Sequence, residues 1–142
     1  MPVSARLRAQ GLAPDPPFEV KKTLLKTVVD EIRAEGVKAG LLRLKAFRPF
    51  PAAQVQKALQ NVKAIGVMDK SMSFGGNGGA IFHEVRHSMY DAAAKPFIVD
   101  YIYGLGGRDT SPKEFKKVFG ELHTIAHSRR VEKLVSFLGL RE

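Results

Sequence analysis

The sequence predicts an α/β fold, a three-layer αβα arrangement around a mainly parallel sheet. Three observations carry that expectation. Strand-length runs rich in apolar and β-branched residues, at 64–68 and 97–103, alternate with stretches whose apolar residues recur at helical spacing. Residues 64–68 are apolar throughout, as in a parallel strand covered on both faces. Turns rich in glycine or proline, at 48–51, 69–79 and 104–109, each stand after a strand-like run and ahead of a helical one. Such alternation implies βαβ units, whose turns collect at the carboxyl edge, where open α/β sheets place ligands and interfaces.

Taken in order, residues 1–22 read as an irregular leader, because Pro14, Pro16 and Pro17 interrupt any period. The domain is expected over 23–142. Leu24, Leu25, Val28, Val29 and Ile32 predict a helix from Thr23, with Gly36 as its stop. Residues 37–47 read as a strand in which Arg43 and Lys45 alternate with Leu42 and Leu44, leaving one face polar or covered by a partner. Pro49 and Pro51 end it, and Pro51 suits the first turn of a short helix reaching Leu59. After the strand at 64–68, residues 75–79 form a loop, and a helix runs to Met89 or Tyr90. The strand at 97–103 enters a turn in which Gly104, Gly106 and Gly107 permit positive φ. Ser111 and Glu114 form a capping box with Pro112 at the first helical position, and Phe115, Val118, Phe119 and Leu122 make that helix's buried stripe. Val131, Leu134, Val135 and Leu138 predict a last amphipathic helix.

Composition narrows the function classes. The chain has no cysteine, which removes disulfides, thiolate zinc sites and cysteine-ligated iron–sulfur clusters from it. No apolar run approaches eighteen residues and no signal-peptide pattern is present, so a cytoplasmic location without membrane attachment is expected. The net charge of +9 is spread along the chain, with its densest groups, 113–117 and 129–133, on polar faces beside Glu114 and Glu132. Nucleic-acid binders cluster charge on one face, so a solvated basic surface is preferred, with docking of an acidic protein as the alternative.

Three segments together carry a family resemblance: LLRLKAFRPFP at 41–51, VMDKSMSFGGNGG at 67–79 and YIYGLGGRD at 101–109. In this order they resemble the C-terminal domain of the α chain of 2-oxoacid:ferredoxin oxidoreductases, of which pyruvate:ferredoxin oxidoreductase is the best-known member. The resemblance runs from about Thr23 to the C-terminus. It implies a transketolase C-terminal-like, Rossmann-like fold whose first strand is missing here, with only residues 18–20 as a stub. It also implies oxidative decarboxylation of a 2-oxoacid to an acyl-coenzyme A, using thiamine diphosphate with Mg²⁺, and electron transfer through iron–sulfur clusters to ferredoxin. The diphosphate-binding signature and the glutamate-bearing pyrimidine domain of that family are absent from this sequence. The chain alone is therefore expected to bind none of these cofactors and to carry no catalytic residue. Its expected partners are the enzyme's other subunits or domains, ferredoxin indirectly, and a second copy when isolated. The rival reading is a non-catalytic remnant or interaction module of a split gene.

The candidate positions follow. Gly75, Gly76, Asn77 and Gly78, opening a helix, suit anion or cofactor contact through backbone N–H groups, although they form neither a dinucleotide fingerprint nor a P-loop. Arg48, Phe50, Gly104, Gly106, Gly107, Arg108 and Asp109 are expected to serve structure or an interface, with Arg108 suited to a carboxylate. His83-Glu84-Val85-Arg86-His87 matches the pattern of zinc peptidases, in which two histidines one turn apart bind metal. A zinc hydrolase is thus a further alternative. Ile81, Phe82, Val85 and Met89 share the opposite face, so His83 and His87 point outward, and no metal site is expected from them.

Overall fold

The computed structural model describes residues 24–140. The leader at 1–22 and its stub at 18–20 lie outside the described residues. The chain divides into two compact units, Met1–Lys45 and Ala46–Glu142. In the first, helix α1 (Leu24–Ala34) buries Val28, Val29 and Ile32 while Asp30 and Glu31 stay exposed. Apolar residues three and four apart produce this one-sided burial. Gly36 closes the helix at φ +87°, a conformation that a side chain would strain.

Residues 37–47 carry no strand, which corrects the sequence expectation. A strand holds only when its N–H and C=O groups find a ladder partner, and no described segment pairs with this one. The alternation of leucine with Arg43 and Lys45 is permissive for a strand without being sufficient.

The second unit contains α2 (Ala52–Leu59), β1 (Ala64–Asp69), α3 (Ala80–Met89), β2 (Phe97–Ile102), a 3-10 turn (Leu105–Gly107), α4 (Pro112–Ser128) and β3 (Val135–Phe137). The three strands form a parallel sheet in the order β1-β2-β3. Ala64 lies opposite Phe97 and Asp100 opposite Val135. Side chains alternate across a strand, and β2 uses both faces. Val99 and Tyr101 pack with Val118 of α4 and with half-buried Met68, Leu122 and Leu138. Asp100 and Ile102 point the other way, where α3 contributes Phe82 and Val85 to the core. Helices therefore flank an all-parallel sheet, as the alternation of elements requires.

Local sequence sets the ends of α4. Ser111 Oγ accepts from the Glu114 N–H at 3.3 Å, and the Ser111 N–H donates to Glu114 Oε2 at 2.7 Å, which completes the capping box. Arg129, in the left-handed region at φ 56°, stops the helix.

The expected last helix is a strand. Val131, Leu134, Val135 and Leu138 fit helical spacing, but 135–137 also alternate, and the stretch between Arg129 and Gly139 is too short to hold as a helix on propensity alone. The free edge of β2 decides the outcome. The Asp100 N–H donates to Leu134 O at 2.9 Å and the Leu138 N–H to Ile102 O at 2.8 Å, satisfying groups that a helix would leave unpaired.

Candidate functional site

The site grows from the carboxyl ends of β1 and β2, where each strand presents an aspartate on the face that α3 covers. Asp69 and Asp100 are 4% and 0% exposed, so their charges need compensation. Asp69 finds it at the start of α3: Oδ1 accepts from the Ile81 N–H at 3.1 Å and Oδ2 from the Phe82 N–H at 2.9 Å. These donors have no partner within the helix, and a carboxylate also suits the positive end of the helix dipole. Asp100 Oδ2 accepts from the Gly79 N–H at 2.7 Å, while Oδ1 has no partner. Burial, and then the charge of the neighbouring Asp69, push the Asp100 carboxyl up to about 6, against the pull of the Gly79 N–H.

The glycines are there because the carboxylates are. A Cβ on Gly79 would overlap the Asp69 carboxylate, and one on Gly78 would come 2.6 Å from Phe82 Cδ1 and 3.0 Å from Asp100 Oδ2. Ahead of them the loop folds on itself through Ser73 N–H to Gly78 O at 2.8 Å and Gly76 N–H to Ser73 O at 3.0 Å. Phe74 stands fully exposed at its outer side.

The remaining candidates are placed as follows. His83 and His87 are both exposed, with Phe82, Val85 and Met89 buried on the other side of α3. His83 Nε2 lies 2.8 Å from Asn77 O, so one of the two histidines clasps the glycine loop. Glu84, the central acid of the motif, pairs with Arg48 at 2.8 Å. The Arg48 guanidinium also donates to Phe47 O at 3.0 Å and lies 4.1 Å from the Phe47 ring centroid. Phe50 stacks edge-on to Phe47. Among the described residues no group of three or more histidine, aspartate or glutamate side chains is placed to hold a metal ion.

Gly104, Gly106 and Gly107 take φ of 69°, 66° and 73°. Arg108 donates to Gly139 O at 2.7 Å and not to a carboxylate; it ties this turn to the end of β3. Asp109 is exposed. The structure brings Gly78 together with Asp100, and His83 with Asn77, while the 104–109 turn engages the end of β3.

Sequence reasoning assigned no role at the loop to Asp69 or Asp100. A signal existed: each carboxylate interrupts or ends a strand that is otherwise apolar, and a charge in a buried run needs a partner. For Asp69 that partner is the start of the helix that follows its own strand; for Asp100 it is Gly79, which the parallel pairing of β1 with β2 brings close.

A family model described as pyruvate:ferredoxin oxidoreductase core domain II matches residues 20–115. Among curated proteins, the chain is 40% identical over 121 residues to the pyruvate synthase subunit PorA of Thermotoga maritima, covering 83% of this chain and 29% of that subunit. It is 40% identical over 104 residues to PorA of Methanosarcina barkeri, covering 73% and 26%. With the ketoisovalerate oxidoreductase subunit VorA of Pyrococcus furiosus it shares 36% identity over 117 residues, covering 82% and 29%. The chain thus spans less than a third of the length of these relatives.

Proposed function

The chain belongs to the pyruvate:ferredoxin oxidoreductase core domain II family, and from that membership we propose that it is an assembly-forming domain of a 2-oxoacid:ferredoxin oxidoreductase. In this reading the complete enzyme decarboxylates pyruvate or a related 2-oxoacid oxidatively, while this domain positions other parts and performs no bond-making itself. The observation that carries the reading is the use of the carboxylates at the glycine corner. Asp69 and Asp100 accept from backbone N–H groups of Gly79, Ile81 and Phe82, so they hold a loop and a helix start in place and present no acid–base pair to a substrate.

The same geometry bears on the family's cofactor. A diphosphate at the start of α3 would meet two buried carboxylates and N–H donors that they already engage. The start of α3 thus suits that group poorly, and the chain has no cysteine to hold a cluster. Thiamine diphosphate, Mg²⁺ and iron–sulfur clusters are proposed to sit in other parts of the enzyme. The exposed loop carrying Phe74, with Arg48, Phe50 and the 104–109 turn, is proposed as interface. Among the described residues β1 pairs only with β2, and an open apolar strand edge is a template for another chain. In the isolated polypeptide, a second copy is proposed to cover it.

Affinity purification of the tagged chain from its native source tests the proposal. Recovery with an iron–sulfur protein that oxidises a 2-oxoacid in the presence of coenzyme A supports it; recovery of the chain alone, with that activity in other fractions, contradicts it.

A further inference from the structure

A different surface lies at the amino edge of the sheet, opposite the glycine corner. Because the strands are parallel, the connections leading into them all arrive at this edge. They bring Lys63 ahead of β1, Lys95 ahead of β2, and Arg129, Arg130 and Lys133 ahead of β3, all exposed. The carboxylates in the same connections are those of Asp91 and Glu132. Adjacent strands are about 5 Å apart, so Lys63 and Lys95, ahead of paired strand starts, are neighbours at this edge; β3 joins β2 only from Asp100, which sets its cations further along.

The same edge opens a cleft of about 220 Å³ between the end of α3 and the start of β2, lined by Arg86, Met89, Tyr90, Lys95, Pro96 and Ile98. Met89, Pro96 and Ile98 make its apolar part, and Tyr90, 75% exposed, stands beside it. Lys95 is held there, its ammonium donating to Tyr90 O and lying 5.2 Å from the Tyr90 ring centroid. The Arg86 guanidinium lies 5.4 Å from the Phe82 ring centroid. An open cleft with a partly apolar wall thus sits between two cations whose positions are set by aromatic neighbours.

We propose that this edge docks an acidic protein surface that inserts one leucine- or phenylalanine-sized side chain flanked by aspartate or glutamate. Apolar anchors filling a socket give an interface its affinity, and a complementary charged rim steers and orients the encounter. A second copy of this chain is the poorer occupant of this edge, because a two-fold contact through it would set the same cations against one another. Nucleic acid would match the cations but leave the apolar wall of Met89, Pro96 and Ile98 uncovered. The inference stands on this edge alone and does not depend on the family reading.

Fluorescence anisotropy with the full 142-residue chain tests it, using three labelled probes. One is an Asp/Glu peptide with a central leucine, the second has serine in place of the leucine, and the third is duplex DNA of equal charge. The leucine peptide is expected to bind about tenfold tighter than either other probe, and Lys95→Glu to weaken it by about tenfold. Tyr90→Ser should weaken the leucine peptide and leave the serine peptide unchanged. Reversing Lys113 and Lys117, on the exposed face of α4, should change binding less than about twofold. Equal binding of the two peptides, DNA binding as tight as the leucine peptide, an equal loss on reversing Lys113 and Lys117, or no binding would each overturn the proposal.

Discussion

Two glycine turns follow parallel strands in this molecule, and they need glycine for different reasons. At Gly79 the reason is space, and at Gly78 it is space together with a φ of 99°. Both are buried, and a Cβ at either would run into Phe82, Asp100 or the Asp69 carboxylate. At Gly106 and Gly107 a Cβ would meet nothing within 4 Å; the reason there is backbone angle alone, φ of 66° and 73°. The same letter thus reports close packing of a loop on buried carboxylates in one turn, and a left-handed chain reversal at the surface in the other. The first kind fixes a helix to two strands. The second only steers the backbone, and the αL region is open to asparagine as well.

The largest effect should come from Gly79→Ala. The added methyl displaces the Asp69 carboxylate and so breaks its bonds to the Ile81 and Phe82 N–H groups, leaving buried polar groups unpaired. The expected loss is about 3 kcal/mol or more, measured by urea unfolding. Wild-type stability in Gly79→Ala would show that the corner yields freely and that space is not what the glycine provides.

Next in size is the pH response of Asp100. Its folded carboxyl titrates at about 6, above the ordinary 3.8, so the folded state holds more protons than the unfolded state between those values. This group's contribution is fully present below pH 3.8 and is lost as the pH rises through 6. An asparagine side chain at this position keeps an acceptor for the Gly79 N–H and carries no charge. Relative to wild type, Asp100→Asn should gain stability across that window, by about 3 kcal/mol at most. Parallel stability–pH curves for the two proteins would contradict a buried, proton-holding Asp100.

The smallest effect separates the two turns. Gly106→Ala has room but the wrong φ, and should cost about 1 kcal/mol. Gly106→Asn should cost less than half of that, since asparagine tolerates the left-handed region. If Gly106→Asn destabilises as much as Gly79→Ala, the contrast between space and angle fails.

Much of this was legible in the sequence where the cause is local. The capping box of Ser111 and Glu114, the positive φ of the 104–107 glycines and the outward histidines of α3 follow from neighbouring residues. Parallel strands at 64–68 and 97–103 were legible from runs of strand length, and each differs from the observed strand by one residue at its end. What was misread depends on pairing. Residues 135–137 look helical until the edge of β2 claims them, and 37–47 look like a strand until no ladder partner is found. Asp69 and Asp100 stood apart as two letters in two strands, and their shared work at Gly79, Ile81 and Phe82 exists only once β1 and β2 lie side by side.

This polypeptide is proposed to supply architecture to a 2-oxoacid oxidoreductase and not its chemistry. The direct measurement is turnover of pyruvate by the purified chain with thiamine diphosphate, Mg²⁺, coenzyme A and a low-potential dye. No dye reduction above the buffer rate is the predicted result. Sustained turnover, by protein shown free of host enzyme and abolished by changes at Asp69 or Asp100 that leave the fold intact, would contradict the claim.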